Sequence, residues 1–395
     1  MRAQYDVIVV GAGPGGAVCA GRLAARGAQV LLVDKKRPGW HKPCGGGIPE
    51  SVFARHDVPA SLGFASPRVQ VVDRHRRASV TPVRYRDVYR NVFDEHLAER
   101  ARRAGADVAF EAPVRELWRA GDAFVVRTDR GTCRGHYLVG ADGCNSIVRR
   151  RLFGERLRDD MCAVAVEYWF RVRHRVASLD FFVEPEVLGT GYAYVFPKDD
   201  GVLAVGIAGV DIASPRPVLD RLLALPRYRA LVGDAPIAAV HGGRIPYRHL
   251  SRLREGRLLL VGDAAGLNTP IVFAGIPVAL QSGRLAGDLI ARALAAGSDA
   301  PLDRYTVDAL RAASPGFAVC HAYYDLLLAG RRAPPFAALA RGFLRRPHLL
   351  PRIYMMWRAL GRLVDGLDLE RLSAPRAAGR GARDLDLDLV RGGGG

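Results

Sequence analysis

The 395-residue sequence predicts an α/β fold with three parts: an N-terminal parallel sheet with its helices, an inserted β-sheet region and a C-terminal helical region. Three observations support this fold class. A glycine-rich turn joins a strand to a helix near the N-terminus, the middle of the chain contains short strand-like segments, and helical spacing of apolar residues follows residue 300. With 49% hydrophobic residues, the chain can bury a large core and form two or three lobes.

Charge and cysteine content argue against several classes of protein. The net charge is +18, but only four of the 58 basic residues are Lys, and the Arg residues are dispersed, so we expect no nucleic-acid binding. An anionic substrate, cofactor or membrane surface remains open. The cysteines form no CxxC pair and no cluster has metal-ligand spacing, which predicts reduced thiols and no metal site. They are Cys19, Cys44, Cys133, Cys144, Cys162 and Cys320.

The N-terminal residues lack the pattern of a signal peptide, and no window reaches about 18 uninterrupted apolar residues. We therefore expect a cytoplasmic protein, and we leave open a peripheral contact with a membrane.

The strongest motif begins at residue 5 and reads YDVIVVGAGPGGAVCAGRLAARGAQVLLVD. An apolar strand meets Gly11, Gly13 and Gly16, a helix follows, and a second strand ends at Asp34. The glycines allow a tight turn, the close approach of a pyrophosphate to the backbone, and close packing of the helix on the strand. The free N–H groups of the helix N-terminus favour anions. An acid at this strand end accepts a ribose hydroxyl and disfavours a 2′-phosphate, which predicts binding of FAD or NAD.

Two later segments each place a strand before an acidic turn. Residues 134–150 read RGHYLVGADGCNSIVRR, in which the strand meets a DG turn. Residues 256–290 begin GRLLLVGDAAGLNTP, in which the strand meets Asp263 and a helix begins near Gly275.

A glycine-rich turn followed by DG and GD segments resembles the FAD-dependent hydroxylase superfamily over residues 1–300. Within it, the sequence resembles the geranylgeranyl reductase family, on the stretches KPCGGGIP, YRNVFDEHLAERARRAGADV, GYAYVFPKDDGVLAVGIAG, GADGCNSIVRR and GDAAGLNTP. Hydroxylases do not usually have the CGGG stretch. The resemblance implies a Rossmann-type FAD-binding domain with an inserted β-sheet substrate domain. It also implies reduction of carbon–carbon double bonds of a geranylgeranyl or polyprenyl substrate with electrons from NAD(P)H.

The resemblance further implies which residues contact FAD. Asp263 would bind the ribityl chain, and the helix beginning at Gly275 and Ile276 would point its N–H groups at the flavin pyrimidine, where negative charge develops. The implied cofactor-binding residues are Gly11, Gly13, Gly15, Gly16, Asp34, Cys44, Gly45, Gly47, Arg90, Val114, Asp263, Gly275 and Ile276.

Cys44 is the catalytic residue that we predict. An isolated alkene has no electron-poor carbon for a hydride to attack, so a proton donor is needed beside the flavin and the substrate. A free thiol is mostly protonated at neutral pH and can hold that proton. We therefore predict that Cys44, or a water that it positions, delivers the proton. The structural alternative is a flexible glycine turn with a half-buried thiol.

The aromatic residues of the β-rich middle segment can form a core or line a pocket for an apolar substrate. We predict substrate contacts for Tyr192, Tyr194, Phe196 and Phe273. Two of these residues depart from the family pattern, since Tyr194 stands where the family usually has Trp and Phe273 where it usually has Gly. A ring at position 273 would crowd the flavin or reshape the substrate pocket.

The predicted domain boundaries follow from these segments. The FAD-binding domain comprises residues 1–65, 85–160 and 245–300, the substrate domain 66–84 and 161–244, the helical region 301–372 and the flexible tail 373–395. Residues 334–367 have amphipathic spacing, which fits either packing on the FAD-binding domain or a membrane-surface helix pair.

Two other functions remain open. An FAD-dependent monooxygenase or halogenase of secondary metabolism would share the dinucleotide fold and the GD segment. A non-catalytic flavoprotein that binds a partner is the third class.

Overall fold

The computed structural model describes residues 1–322 except 73–77, 82, 174, 175, 190, 200, 211, 271, 315, 316 and 319. In chain order, the strands of the described part are β1 (Gln4–Val10), β2 (Val30–Val33), β3 (Gly47–Pro49), β4 (Gly63–Ser66), β5 (Arg68–Val72), β6 (Ala78–Thr81), β7 (Tyr85–Val88), β8 (Asp107–Ala109), β9 (Val114–Ala120), β10 (Ala123–Thr128), β11 (Gly131–Gly140), β12 (Cys162–Arg171), β13 (Ser178–Phe182), β14 (Tyr192–Pro197), β15 (Val202–Gly209), β16 (Ile237–Pro246), β17 (Arg254–Glu255) and β18 (Leu258–Leu260).

The helices of the same residues are α1 (Pro14–Ala24), α2 (Glu50–Arg55), α3 (Arg90–Arg103), α4 (Ile147–Leu152), α5 (Pro185–Leu188), α6 (Pro215–Leu223), α7 (Pro226–Val232), α8 (Ile276–Ala296) and α9 (Val307–Ala313). Short 3-10 segments lie at Ala60–Leu62, Asp159–Met161, Gly262–Ala265 and Ala300–Arg304. None of the helices in the described ranges has the length and apolar character needed to cross a membrane. The amphipathic stretch 334–367 and the tail 373–395 lie outside the described residues.

An eight-stranded sheet gathers the predicted motifs at one edge. Its order is β17-β18-β11-β1-β2-β8, and the hairpin β9–β10 continues from β11. From β18 to β8 the strands are parallel, and the side chains of β1 and β2 are almost completely buried, as expected for strands covered on both faces. Because parallel strands end at the same edge, the loops that follow β1, β2, β11 and β18 lie side by side there.

A seven-stranded sheet, of order β16-β12-β15-β14-β13-β5-β6, forms the second layer. Strands β14 and β15 are consecutive in the chain and pair antiparallel. A third, small sheet has three strands in the order β3-β7-β4. The α/β fold class predicted from the sequence is confirmed, whereas the exact domain boundaries stay predictions.

Helices α1 and α8 pack together through two glycines. A Cβ added to Gly283 of α8 would lie 2.0 Å from the backbone oxygen of Gly15, and one added to Gly15 would lie 2.9 Å from the oxygen of Ala279. The backbones therefore touch where α1 begins. This contact brings the N-terminal ends of both helices to the same edge of the eight-stranded sheet.

We predict that Gly283→Ala destabilises the protein although alanine favours helices. The added methyl group must displace the backbone of α1, and overpacking of this kind costs about 1–3 kcal/mol. Chemical denaturation measures the free energy of unfolding. Gly243→Ala is the control, because a Cβ there meets nothing within 4 Å. Equal stabilities for the two variants would contradict the close helix contact.

Candidate active site

A cavity of about 1060 Å³ lies between the carboxyl edge of the eight-stranded sheet and one face of the seven-stranded sheet. This volume is at the upper end of the range for small-molecule sites. Of the residues predicted from the sequence, Gly16 does not line it; it packs against the oxygen of Gly11 instead. Those that line it are Gly11, Gly13, Gly15, Asp34, Cys44, Gly45, Gly47, Arg90, Val114, Asp263, Gly275, Ile276, Tyr192, Tyr194, Phe196 and Phe273.

The N-terminus of α1 forms one end of the cavity. A Cβ on Gly13, the residue before α1, would point into open space, so a ligand can approach this backbone closely. No side chain within the described residues caps the helix N-terminus, which leaves its N–H groups for an anion. The carboxylate of Asp34, at the end of β2, accepts a hydrogen bond of 2.7 Å from the backbone of Ala12. Asp34 is thereby fixed beside the glycine turn.

The N-terminus of α8 forms the second end. Gly275 precedes the helix, again with no side-chain cap among the residues described, and a Cβ there would lie 2.6 Å from Nδ2 of Asn268. The carboxylate of Asp263 lies next to Gly275 and forms a 3.1 Å ion pair with Lys42. Arg149 connects this region to the DG turn, because its guanidinium donates to the backbone oxygens of Ala264 and Cys144.

These groups fit two parts of FAD, the pyrophosphate and the flavin ring. Two helix N-termini without side-chain caps suit an anionic pyrophosphate and a flavin pyrimidine that carries negative charge when reduced. In the described part of the chain, two buried cavity oxygens, Oδ1 of Asp142 and Oδ1 of Asn268, make no hydrogen bond. Buried polar atoms normally have partners, so these acceptors suit the hydroxyl and amide donors of such a ligand.

The cysteine loop, residues 41–47, which ends at the first residue of β3, is held by a buried cation. Nζ of Lys198 donates to the backbone oxygen of Gly45, lies 3.5 Å from that of Cys44 and forms a 2.6 Å ion pair with Asp87. Both charged side chains are fully buried. Burial raises the pKa of Asp87 to about 7, against the opposing effect of the Lys198 ammonium. Lys198 therefore fixes the backbone on both sides of the Cys44–Gly45 peptide.

The glycines of this loop make room for the seven-stranded sheet. A Cβ on Gly45 would lie 3.0 Å from the ring of Phe196, and one on Gly46, at φ +86°, would lie 2.6 Å from Nζ of Lys198. A Cβ on Gly47 would lie 2.5 Å from Leu179. The three glycines thus serve close packing on the sheet, and not only an approach to a ligand.

Arg90 faces Cys44 from the start of α3. Its buried guanidinium forms two hydrogen bonds with Asp94, of 2.9 and 2.7 Å. Burial acts to lower the pKa of Arg90, but Asp94 and the neighbouring Cys44 outweigh it and raise the pKa overall. A fixed positive charge therefore lies beside the thiol.

Aromatic side chains form the wall opposite the cofactor residues. The rings of Tyr194 and Phe196 lie 4.8 Å apart, and Phe181 contacts both Phe196 and Tyr192. These residues belong to the face of the seven-stranded sheet that lines the cavity. The wall is apolar enough to hold a hydrocarbon chain.

Phe273 closes the cavity between the two layers in a strained conformation. Its φ is +47°, in the left-handed region that favours glycine, and its ring stacks on Tyr192 at 5.8 Å. Tyr192 in turn donates a 2.7 Å hydrogen bond to the oxygen of Val272. Phe273 thus has a glycine-like backbone conformation and places a ring across the cavity.

Sequence reasoning missed four residues of this site: Lys198, Asn268, Glu167 and His241. Lys198 has no assigned role in the sequence predictions, although the composition carried a signal. In a chain rich in Arg, three of the four Lys residues line the cavity and the fourth is Lys198. Glu167 and His241 come from separate strands and have no motif that connects them.

Comparisons with known proteins identify the class. The family model described as FAD binding domain matches residues 4–209 and 228–315. The chain is 30% identical over 309 residues to Digeranylgeranylglycerophospholipid reductase 1 of Methanosphaera stadtmanae, covering 74% of this chain and 76% of that one. It is 31% identical over 349 residues to the chloroplastic Geranylgeranyl diphosphate reductase of Oryza sativa subsp. japonica, covering 77% and 71%.

The protein is therefore an FAD-dependent oxidoreductase. It belongs to the geranylgeranyl reductase family of FAD-binding proteins, as the sequence motifs predicted.

Two solved structures share the fold. A geranylgeranyl bacteriochlorophyll reductase-like protein from Thermoplasma acidophilum superposes with a TM-score of 0.69 at 24% identity, covering 76% of this chain and 82% of the other. A flavin-dependent brominase superposes with a TM-score of 0.71 at 16% identity, covering 92% and 94%. Because reductases and halogenases share this fold, the architecture alone does not separate their reactions.

We predict that Lys198→Met costs about 3–5 kcal/mol of unfolding free energy, because it leaves Asp87 buried without a counterion. The double variant Lys198→Met with Asp87→Leu, which replaces both charges, should recover much of the stability. The cysteine loop would still lack its hydrogen bond from Lys198. Alkylation of Cys44 by iodoacetamide, followed by peptide mass spectrometry, should be faster than in the wild type in both variants.

The control for Lys198 is Arg115→Met, which breaks an exposed ion pair with Asp129 and should change neither stability nor alkylation. An unchanged alkylation rate in the double variant would refute the holding role of Lys198.

We also predict that Phe273→Gly is more stable than Phe273→Ala. Both variants lose ring contacts worth about 3–5 kcal/mol, but glycine recovers about 1–2 kcal/mol of left-handed backbone strain. Denaturant unfolding measures both. At the buried control position Phe153, whose φ is −99°, the glycine variant should be the less stable one. If the glycine variant is less stable than the alanine variant at position 273 as well, the backbone of Phe273 is not strained.

Proposed function

We propose that this protein reduces carbon–carbon double bonds of an isoprenoid, of the geranylgeranyl or polyprenyl class, with electrons from NAD(P)H. The observation that carries the proposal is the position of Cys44. Its loop, which Lys198 holds, lines the cavity. One side of this loop pairs with Asp263 through Lys42, and the other lies close to Phe196 at Gly45. When bound, FAD supplies the hydride-transfer chemistry.

Cys44 supplies the proton that the alkene requires. Lys198 fixes the loop backbone, so the thiol keeps its place, and Arg90 stabilises the thiolate that remains when the proton leaves. The guanidinium of Arg90 is itself held by Asp94 and cannot swing away. The cysteine loop therefore holds the proton donor in place, and α3 holds the positive charge of Arg90 beside it.

The aromatic wall orients the substrate. Phe181, Tyr194 and Phe196 offer ring faces to a hydrocarbon chain, and these faces also stabilise positive charge that develops on a protonated alkene carbon. The names of the relatives refer to geranylgeranyl lipids and diphosphates, which supports an isoprenoid substrate.

NAD(P)H would reach the same cavity. The described residues contain a single glycine-rich strand-turn-helix motif, the one at β1 and α1, and its N-terminus is assigned to FAD. A nicotinamide donor would therefore bind transiently beside the flavin and leave before the isoprenoid enters.

We predict that Cys44→Ala and Cys44→Ser bind FAD normally but lose isoprenoid reduction by about 10²–10⁴-fold, the range for a general acid. The flavin absorbance after desalting reports binding, and product analysis reports reduction. Cys133→Ala is the control, since this buried thiol contacts the oxygen of Arg2. Full turnover in Cys44→Ala would exclude the proposed role.

The need for oxygen distinguishes the reductase from a monooxygenase or halogenase. The bound flavin is reduced with NAD(P)H under anaerobic conditions, and polyprenyl substrates are then added. Reoxidation without oxygen supports the reductase, whereas reoxidation only after oxygen is admitted supports a monooxygenase or halogenase.

A further inference from the structure

Two thiols meet where the two large sheets contact each other. Sγ of Cys144 lies 3.8 Å from Sγ of Cys162, and one thiol donates a hydrogen bond to the other. Cys144 belongs to the DG turn that follows β11, on the cofactor side of the cavity, and Cys162 is the first residue of β12 in the seven-stranded sheet. The pair therefore spans the boundary between the two layers, and both thiols are free.

Two arginines place positive charge beside Cys162. The guanidinium of Arg244, in β16, donates a hydrogen bond to the sulfur of Cys162 and forms a 2.6 Å ion pair with Asp159. The guanidinium of Arg149 also acts on Cys162, and it is held in place by the backbone oxygen of Cys144. Positive charges fixed in this way favour a thiolate at Cys162.

Cys162 is the more acidic thiol of the pair. The hydrogen bond from Cys144 and the arginine charges lower the pKa of Cys162 to about 7, although burial opposes them. The same hydrogen bond and burial raise the pKa of Cys144, which keeps its proton as the donor. Burial also raises the pKa of the thiols of Cys19, Cys133 and Cys320. Near pH 7, Cys162 therefore has a larger thiolate fraction than an ordinary cysteine.

The pair lies at the wall of the cavity. Cys144 and Arg244 both line it, and Cys162 contacts both of them while only 9% of its own surface is exposed. Hydrogen peroxide is hardly larger than water, and reduced flavins that react with oxygen produce it. The pair is therefore next to the place where this oxidant arises in an FAD-dependent protein.

We propose that Cys162 and Cys144 are a peroxide-oxidised dithiol pair, in which Cys162 attacks the peroxide and Cys144 then closes a reversible disulfide. The disulfide would join the DG turn to β12, and so tie together the two layers that enclose the cavity. The inference goes beyond the proposed function and needs neither alkene reduction nor Cys44. It adds a second state to the reduced thiols that the sequence predicts, since a disulfide in a reducing compartment is transient.

The oxidation balances in atoms and electrons. The sulfur of the Cys162 thiolate attacks one peroxide oxygen, the O–O bond breaks, and the leaving hydroxide takes up the proton that the thiol released when it ionised. This gives a sulfenic acid on Cys162 and one water. The sulfur of Cys144 then attacks that of Cys162, its proton goes to the departing hydroxyl group, and a second water leaves as the S–S bond forms. Two thiols have given two electrons to the peroxide, and a dithiol reductant returns them.

A metal site is the competing explanation for two adjacent thiols. A structural zinc site has four ligands. In the part of the chain that the structure describes, no third His, Cys, Asp or Glu forms a metal-ligand group with these two thiols. The guanidinium groups of Arg244 and Arg149 also repel a divalent cation from this position. The arrangement therefore favours thiol oxidation.

The first test maps the cysteines of the FAD-loaded wild type after treatment with hydrogen peroxide in the absence of reductant. Trypsin cleaves after Arg and Lys, so Cys144 lies in the peptide 135–149 and Cys162 in the peptide 159–171. Under non-reducing conditions, mass spectrometry should find these two peptides joined, and dithiothreitol should separate them. If both cysteines stay free, or if Cys162 joins a different cysteine, the proposal is wrong.

Two single variants identify the attacking thiol. Cys144→Ser lacks the thiol that closes the disulfide, so the sulfenic acid on Cys162 should persist and react with dimedone. It should form at least about tenfold faster than at Cys133, because one unit of pKa changes the thiolate fraction about tenfold. In Cys162→Ser, Cys144 should stay unmodified over the same time. Sulfenic acid on Cys144 instead of Cys162 would contradict the assignment.

Arg244→Met tests the charge beside the thiolate. Without the guanidinium the pKa of Cys162 rises, so its oxidation at neutral pH should slow by roughly threefold to tenfold. The matched control is Arg158→Met, which breaks an exposed ion pair with Asp160 in the same segment as Asp159 and should leave the rate unchanged. Equal rates in Arg244→Met and the wild type would overturn the role of Cys162 as an activated thiolate.

These measurements do not depend on isoprenoid turnover. Cys133→Ala, which removes a buried thiol far from the pair in sequence, should form the disulfide at the wild-type rate. The peptide map of the wild type decides the proposal even where a variant does not fold. A disulfide in a protein that reduces no isoprenoid would support the dithiol pair and leave only the proposed function in error.

Discussion

The buried ion pair between Lys198 and Asp87 is the interaction on which the site depends. It joins three parts of the chain that are distant in sequence: the end of β14, strand β7 and the cysteine loop. Two charges without solvent are costly unless they are paired and their remaining hydrogen-bonding capacity is used. Lys198 meets this condition by donating to the carbonyl oxygen of Gly45 as well as to Asp87. Because the buried ammonium needs these acceptors, it holds the loop in one conformation and Cys44 in one place.

A second constraint comes from the parallel strands. Their carboxyl ends must lie at one edge, so the glycine turn, Asp34, the DG turn and the GD turn meet there although they span more than two hundred residues. The contact between Gly15 and Gly283 then sets two helix N-termini at the same edge. These backbone groups attract negative charge through their free N–H groups and the helix dipoles. The cofactor half of the cavity is therefore built largely from the main chain.

The other half of the cavity is built from side chains of the seven-stranded sheet. The Tyr194 hydroxyl reaches Glu167 only because position 206 is glycine. Phe273 places a ring in a left-handed backbone position and stacks on Tyr192. Strain of this kind persists only where surrounding packing fixes it. Both side chains belong to the aromatic wall of the cavity, so they shape the space that a ligand can occupy.

The sequence by itself determined the cofactor half, since a strand, a spaced glycine turn, a helix and an acid are consecutive along the chain and each has a local physical reason. It also determined the cysteine loop, the family and the chemical need for a proton donor. Only the tertiary structure decided why that loop contains three glycines, because the groups that crowd it, Phe196, Lys198 and Leu179, come from other elements. The same holds for Glu167, which contacts Tyr194 and His241 from other strands. Strand register across four strands is a long-range property, and no local pattern in the sequence specifies which residues it places side by side.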